Sequence, residues 1–145
     1  MLKTILFGGS AVDAVAANAG MALLRIFAGI GLAFGHGIGK MPPSDGFIEG
    51  VSKLGFPAPG LFAWAAGLSE FAGGICLALG LFTRVSSFFV FCTMFVAAFV
   101  NHINDGFSGQ EKALLYLFIA LFFAIAGSGN WGIDAFVRER SATDQ

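Results

Sequence analysis

The chain has 145 residues and a formal net charge of −1; 57% of its residues are hydrophobic, 12% are charged and 18 are Phe. A water-soluble domain of this length carries about twice that share of charge, so most of the surface is expected to face lipid. No basic run or acidic tail is present, which excludes nucleic acid as an expected partner, and the length fits one domain.

Residues 1–20 come first. Lys3 precedes an apolar stretch and Ala17-Asn18-Ala19 resembles a signal cleavage site. Asp13 and the glycines interrupt that stretch, so a short interfacial amphipathic segment is expected instead. The first long apolar segment runs from Met21 to Ile38, with helix-compatible AVDAVAANAG upstream of it. The connection that follows holds Pro42, Pro43, Pro57 and Pro59, which bracket a short interfacial helix over Gly46 to Leu54. Next come Leu61 to Phe82, then Val85 to Val100, with Phe82, Thr83 and Arg84 leaving room only for a tight hairpin turn. After the polar turn NDGFSGQE, the fourth segment runs from Ala113 to Ala126 and is extended by its flanks.

Each segment is near the roughly 20 residues a helix needs to cross hydrocarbon, and strand-like alternation is absent. The expected fold is all-α integral membrane. It is an antiparallel four-transmembrane-helix bundle over residues 21–134, with the interfacial segment before it and a cytoplasmic tail, 135–145, after it. Lys3, Arg84, Arg138 and Arg140 fall on one side, with Arg25 toward it, while Lys40, Lys53 and Lys112 fall on the other. This bias places both termini in the cytoplasm.

The interior carries the functional signal. Glu70 sits near the middle of the second segment, where a charge costs several kcal/mol and normally faces a bundle interior with a partner. Ala63, Gly67 and Gly74 share its stripe, and Gly31, Gly35 and Gly39 recur every four residues in the first segment, a small-residue pattern that lets helices approach closely. A seam between these two faces is expected. Arg25 and His36 are three helical turns apart and project from nearly one face, so they are the expected partners of Glu70, Arg25 first and His36 second. Three readings stay open: a structural Arg25–Glu70 ion pair, a ligand or proton site on Glu70, Arg25 and His36, and Arg25 reaching to the interface.

Lys40, Asn101, His102 and Glu111 are expected to gather with His36 at the outer face. No HxxxH or HxxE pair places two ligands on one helix turn, so no metal site is expected. A haem would have only His36 and His102 as axial ligands, a poor basis for one. Cys76 and Cys92 lie eight residues either side of Arg84, so a disulfide requires that they face each other; buried packing is the ordinary role. Tyr116, Trp64 and Trp131 read as interfacial or packing aromatics.

The strings LLRIFAGIGLAFGHGIGK, LSEFAGGICLALGLFTR, MFVAAFVNHINDGF and QEKALLYLFIALFFAIAGSGNWGID together resemble the DoxX family of small four-helix bacterial membrane proteins. The resemblance covers residues 22–134. It rests on Arg25, His36-Gly37 with Lys40, Glu70 with Gly73-Gly74, Gly80 with Thr83-Arg84, His102, Glu111 and a closing Gly-x-Gly-x-Trp-x-x-Asp ending at Asp134. It implies a bacterial inner-membrane protein from a group linked to quinone-dependent oxidoreductases, to thiosulfate or thiol oxidation and to oxidative stress. By this resemblance quinone is the candidate cofactor, with no covalently bound group expected, and larger oxidoreductase subunits are the candidate partners beside the lipid bilayer and further copies of the chain. A fold alone does not fix chemistry. Three functions therefore stand: a quinone-reactive subunit using Arg25, His36 and Glu70, a non-catalytic membrane scaffold, and a small-solute or proton conduit.

Overall fold

The structure, a computed structural model, describes residues 2–9 and 14–143. Asp13, which interrupts the N-terminal apolar stretch, lies outside the described residues. The order is α1 (Leu2–Phe7), α2 (Val15–Leu32), α3 (Asp45–Lys53), α4 (Pro59–Leu79), α5 (Thr83–Val96), α6 (Gly106–Ala126) and α7 (Ile133–Thr143). Two helices continue as wider π-turns: α2 through Ala33–Gly37, followed by a tight 3-10 turn Ile38–Lys40, and α5 through Ala97–Asn101. Among the described residues, four continuous spans are long and apolar enough to cross a membrane: Val15–Lys40, Pro59–Leu79, Thr83–Asn101 and Gly106–Ala126. The first begins six residues earlier than Met21, because the alanine-rich VAANAG propagates the helix.

Between membrane helices lipid is as apolar as leucine, so close packing rather than water exclusion holds the bundle. Leu32, Val90, Met94, Leu117 and Ala120 form the buried core, with Phe91 and Tyr116 against it. Phe27, Phe88, Phe89, Phe118 and Phe122 turn outward. The spans neighbour one another in sequence order, α2 on α4, α4 on α5 and α5 on α6, while α2 and α6 touch only lightly.

The first two spans do meet through small residues, but in a different register from the expected one. The seam is Gly29, Ala33 and Gly37 rather than Gly31, Gly35 and Gly39. A Cβ on Gly29 would stand 2.5 Å from the Gly74 carbonyl oxygen, and one on Gly37 would run into the backbone of Glu70 and Phe71. Gly35 and Gly39 face open space, and a Cβ on Gly31 would meet only Tyr116. Both glycine series have the same spacing, so spacing alone does not choose between them. Gly37→Leu is therefore expected to destabilise the bundle by about 1–3 kcal/mol through overpacking. Gly35→Leu should leave thermal unfolding in detergent unchanged, and a loss there equal to that of Gly37→Leu would contradict the register.

The α4–α5 hairpin turns on Gly80. Its φ of +67° is left-handed, and the Leu81 N–H donates to the Cys76 carbonyl at 2.9 Å, closing the end of α4. Phe82 follows with φ +47°. Such a residue needs outside support, and Asp134 supplies it.

Candidate functional site

Glu70 is the twelfth residue of α4, a helix of 21 residues, and stands near the middle of its span. Its side chain is 2% exposed, and Lys40 Nζ donates to Oε1 at 2.6 Å and to Oε2 at 2.7 Å. Glu70 thus lies inside the bundle with a basic partner from another span, but the partner is Lys40, not Arg25 or His36. The physical reason is rotation for His36 and depth for Arg25. Glu70 meets the face of the first span that carries Gly37, whereas His36 turns to Tyr116 of α6. In depth, Arg25 lies against Gly80, ten positions along α4 from Glu70, or about 15 Å of helix rise. The π-turn and 3-10 turn carry the end of the first span over Gly67, where a Cβ would come 3.0 Å from the Lys40 carbonyl. From there the Lys40 stem reaches down to Glu70.

Lys40 itself remains 33% exposed along its side chain. The Phe47 ring of α3 lies 5.6 Å from its ammonium, a cation–π distance. Ser44 caps α3 by accepting the Phe47 N–H at 3.3 Å, which holds this ring near the pair. The site is thus a buried carboxylate under a half-open ammonium.

His36 lies one residue before the seam glycine and turns to the opposite side, where its ring meets Tyr116 edge-on with centroids 5.8 Å apart. The sequence places Tyr116 among the interfacial or packing aromatics. The signal that could have raised it is its place as the eleventh of 21 residues in α6, a hydroxyl at mid-membrane depth.

Arg25 builds a separate centre at the other end. Its guanidinium donates to the Ser128 carbonyl at 3.2 Å and the Trp131 carbonyl at 2.9 Å, and Gly80 and Gly132 leave the space it fills. Asp134, fully buried, accepts the N–H groups of Phe82 and Thr83 at 2.8 Å each and donates its own N–H to Gly80 at 2.8 Å. Thr83 is therefore held at the hairpin turn, and Arg84 Nε reaches the Ala124 carbonyl at 3.0 Å. Asn18 accepts the Asn130 N–H at 3.0 Å. This end is a clamp on the segment after the last span.

The expected outer-face cluster divides. Asn101 and His102 are 3.1 Å apart and His102 Nδ1 is 2.6 Å from Asp105; Lys40 is instead committed to Glu70, and Glu111 is exposed on α6. The loop is shorter than expected, since α6 begins at Gly106. Among the described residues no group of three potential ligands could hold a metal. Cys76 and Cys92 are free thiols, the first half-buried and the second exposed.

The arrangement defines a small multi-pass membrane protein with an ion pair buried halfway along one span. The chain belongs to the DoxX family, whose family model, described as DoxX, matches residues 20–103. It is similar to a Bacillus subtilis protein named "Putative oxidoreductase CatD", with 29% identity over 119 residues, 81% of this chain and 87% of that one. A Haemophilus influenzae protein named "Uncharacterized protein" is 40% identical over 76 residues, 48% of this chain and 57% of its own length. No solved structure matches the chain.

Proposed function

We propose that this protein is a subunit or accessory of a quinone-linked oxidoreductase or of a related thiol- or oxidative-stress system, and that Lys40 and Glu70 are its polar site. The observation that carries the reading is the half-open Lys40 ammonium over a buried Glu70 carboxylate at mid-span. Lys40 has three N–H donors, two of them on Glu70, and the third suits a ring carbonyl. Glu70 is the group able to exchange a proton there. The Phe47 ring beside the Lys40 ammonium suits a flat ring that partitions into lipid. The electron pair would come from a partner subunit, and the oxidoreductase name of the Bacillus relative supports that setting.

Binding of decylubiquinone to the protein in lipid nanodiscs tests the reading. Saturable retention above empty nanodiscs is expected, weakened at least about tenfold, roughly 1.4 kcal/mol, in Lys40→Met. Unsaturable retention equal to empty nanodiscs overturns it. The scaffold reading is favoured by one observation, that Lys40 already occupies both Glu70 oxygens. It predicts copurification of a larger oxidoreductase that survives Lys40→Met/Glu70→Leu.

The orientation proposed is that of a bacterial inner-membrane protein with both termini cytoplasmic, because Arg84, Arg138 and Arg140 gather at the clamp end. A reporter fused after Gln145 should be active only when it is a cytoplasmic reporter. Activity of a periplasmic reporter there reverses the assignment.

A further inference from the structure

Tyr116 carries a hydroxyl to the middle of its span, and a hydroxyl in hydrocarbon without a hydrogen bond is costly. Its ring packs against the core formed by Leu32, Val90 and Leu117. The hydroxyl stands over Gly31, so near that a Cβ on that glycine would come within 2.8 Å of it. His36 meets the same ring edge-on. Among the described residues neither His36 nor Tyr116 makes a hydrogen bond, and both side chains are half-buried, not sealed.

Three further features converge on this place. It lies at the loosest seam of the bundle, where the first and last spans touch only lightly. Gly31 and Gly35 are on that side, and a Cβ on Gly35 would meet nothing within 4 Å, so the seam has room. His36 sits in the π-turn Ala33–Gly37, and such turns are frequent at functional sites. The next residue, Gly37, packs on Glu70 and Phe71.

We infer that His36 and Tyr116 form a second hydrogen-bonding station, open sideways to lipid between the first and last spans, for a carbonyl-bearing ring that travels in the bilayer. This rests on the quinone reading and adds to it the residues and the side of entry. The Tyr116 O–H donates to a ring carbonyl, and His36 donates or accepts according to its tautomer. The station stands one residue before the Gly37 contact with Glu70 along the first span, on a different side of it from the Lys40–Glu70 pair.

The test uses the full chain in nanodiscs with decylubiquinone, comparing wild type with Tyr116→Phe, Gly35→Leu and Lys40→Met, together with ligand-free melting temperatures. Tyr116→Phe should weaken binding at least tenfold without lowering the melting temperature, since the hydroxyl it removes has no partner. Gly35→Leu, which fills the open seam, should weaken binding while the protein still folds. If wild type binds and Lys40→Met weakens binding while Tyr116→Phe and Gly35→Leu leave it unchanged, the station is overturned and the quinone reading stands. If wild type shows no saturable binding, both fall. A lowered ligand-free melting temperature in Tyr116→Phe would make the hydroxyl structural and also overturn the station.

Discussion

Lys40→Met is expected to destabilise the protein much more than Glu70→Gln, although the two residues form one ion pair. Glu70 is 2% exposed along its side chain and Lys40 33%, so the two losses are unequal. Removing Lys40 leaves a carboxylate sealed at mid-span, and breaking a buried pair in this way costs about 3–5 kcal/mol. Removing the charge of Glu70 frees Lys40, whose flexible stem can carry its ammonium to the interface. The remaining loss is then close to one hydrogen bond, about 0.5–1.5 kcal/mol. Lys40→Met/Glu70→Leu, which removes both charges, should recover most of the stability lost in Lys40→Met, since replacing a whole buried pair by apolar groups is often neutral. Unfolding of the purified protein in mixed micelles reads all three. Equal losses in the two single variants would show that Lys40 is as confined as Glu70.

The four spans were legible because crossing hydrocarbon imposes a length and an apolar composition that few other structures share. Glu70 was legible for the same reason, as a charge at a depth that demands a partner. Its partner was not, because partner choice depends on the rotation and stagger of two helices. The alternative glycine series, Gly29-Ala33-Gly37 and Gly31-Gly35-Gly39, differ by two residues and turn the first span by about 200°. Arg25, four residues before Gly29, meets α4 at its far end beside Gly80, well away in depth from Glu70, and His36 meets Tyr116 of α6. Lys40 was assigned to the surface because it ends the apolar run, and its reach back along its own stem leaves no periodic mark. The closing Gly-x-Gly-x-Trp-x-x-Asp was legible as a resemblance only. Its physical content, carbonyls for Arg25 and a cap for the α4–α5 hairpin, required three distant segments to be placed together.

That clamp sets the other large effect. Asp134→Asn is expected to cost about 1–3 kcal/mol, because both carboxylate oxygens accept backbone N–H groups, from Phe82 and Thr83, and an amide offers only one acceptor, turning its NH2 against the other donor. The cost falls on a turn with nothing in reserve: Phe82 holds φ +47° and provides no side-chain cap for α5, so Asp134 is what satisfies the first N–H groups of that helix. Arg25→Met is expected to cost more, about 3–6 kcal/mol, since two hydrogen bonds from a charged donor are worth about 1.5–3 kcal/mol each. It strips the donors from the Ser128 and Trp131 carbonyls and removes the positive charge that faces buried Asp134. Arg25→Lys should rescue little, since an ammonium lacks the planar fork that meets two carbonyls at once. The two sites act on one segment, so their effects should couple by about 0.5–3 kcal/mol in a double-mutant cycle. Once Arg25 no longer holds Ser128 and Trp131, Asp134 is no longer held under the turn, and its own replacement then costs less. Amide exchange at Phe82 and Thr83 reads the same event locally and should quicken in both single variants. Strict additivity, with Phe82 and Thr83 still protected in Arg25→Met, would separate the cap from the clamp and leave Arg25 as a local carbonyl ligand only.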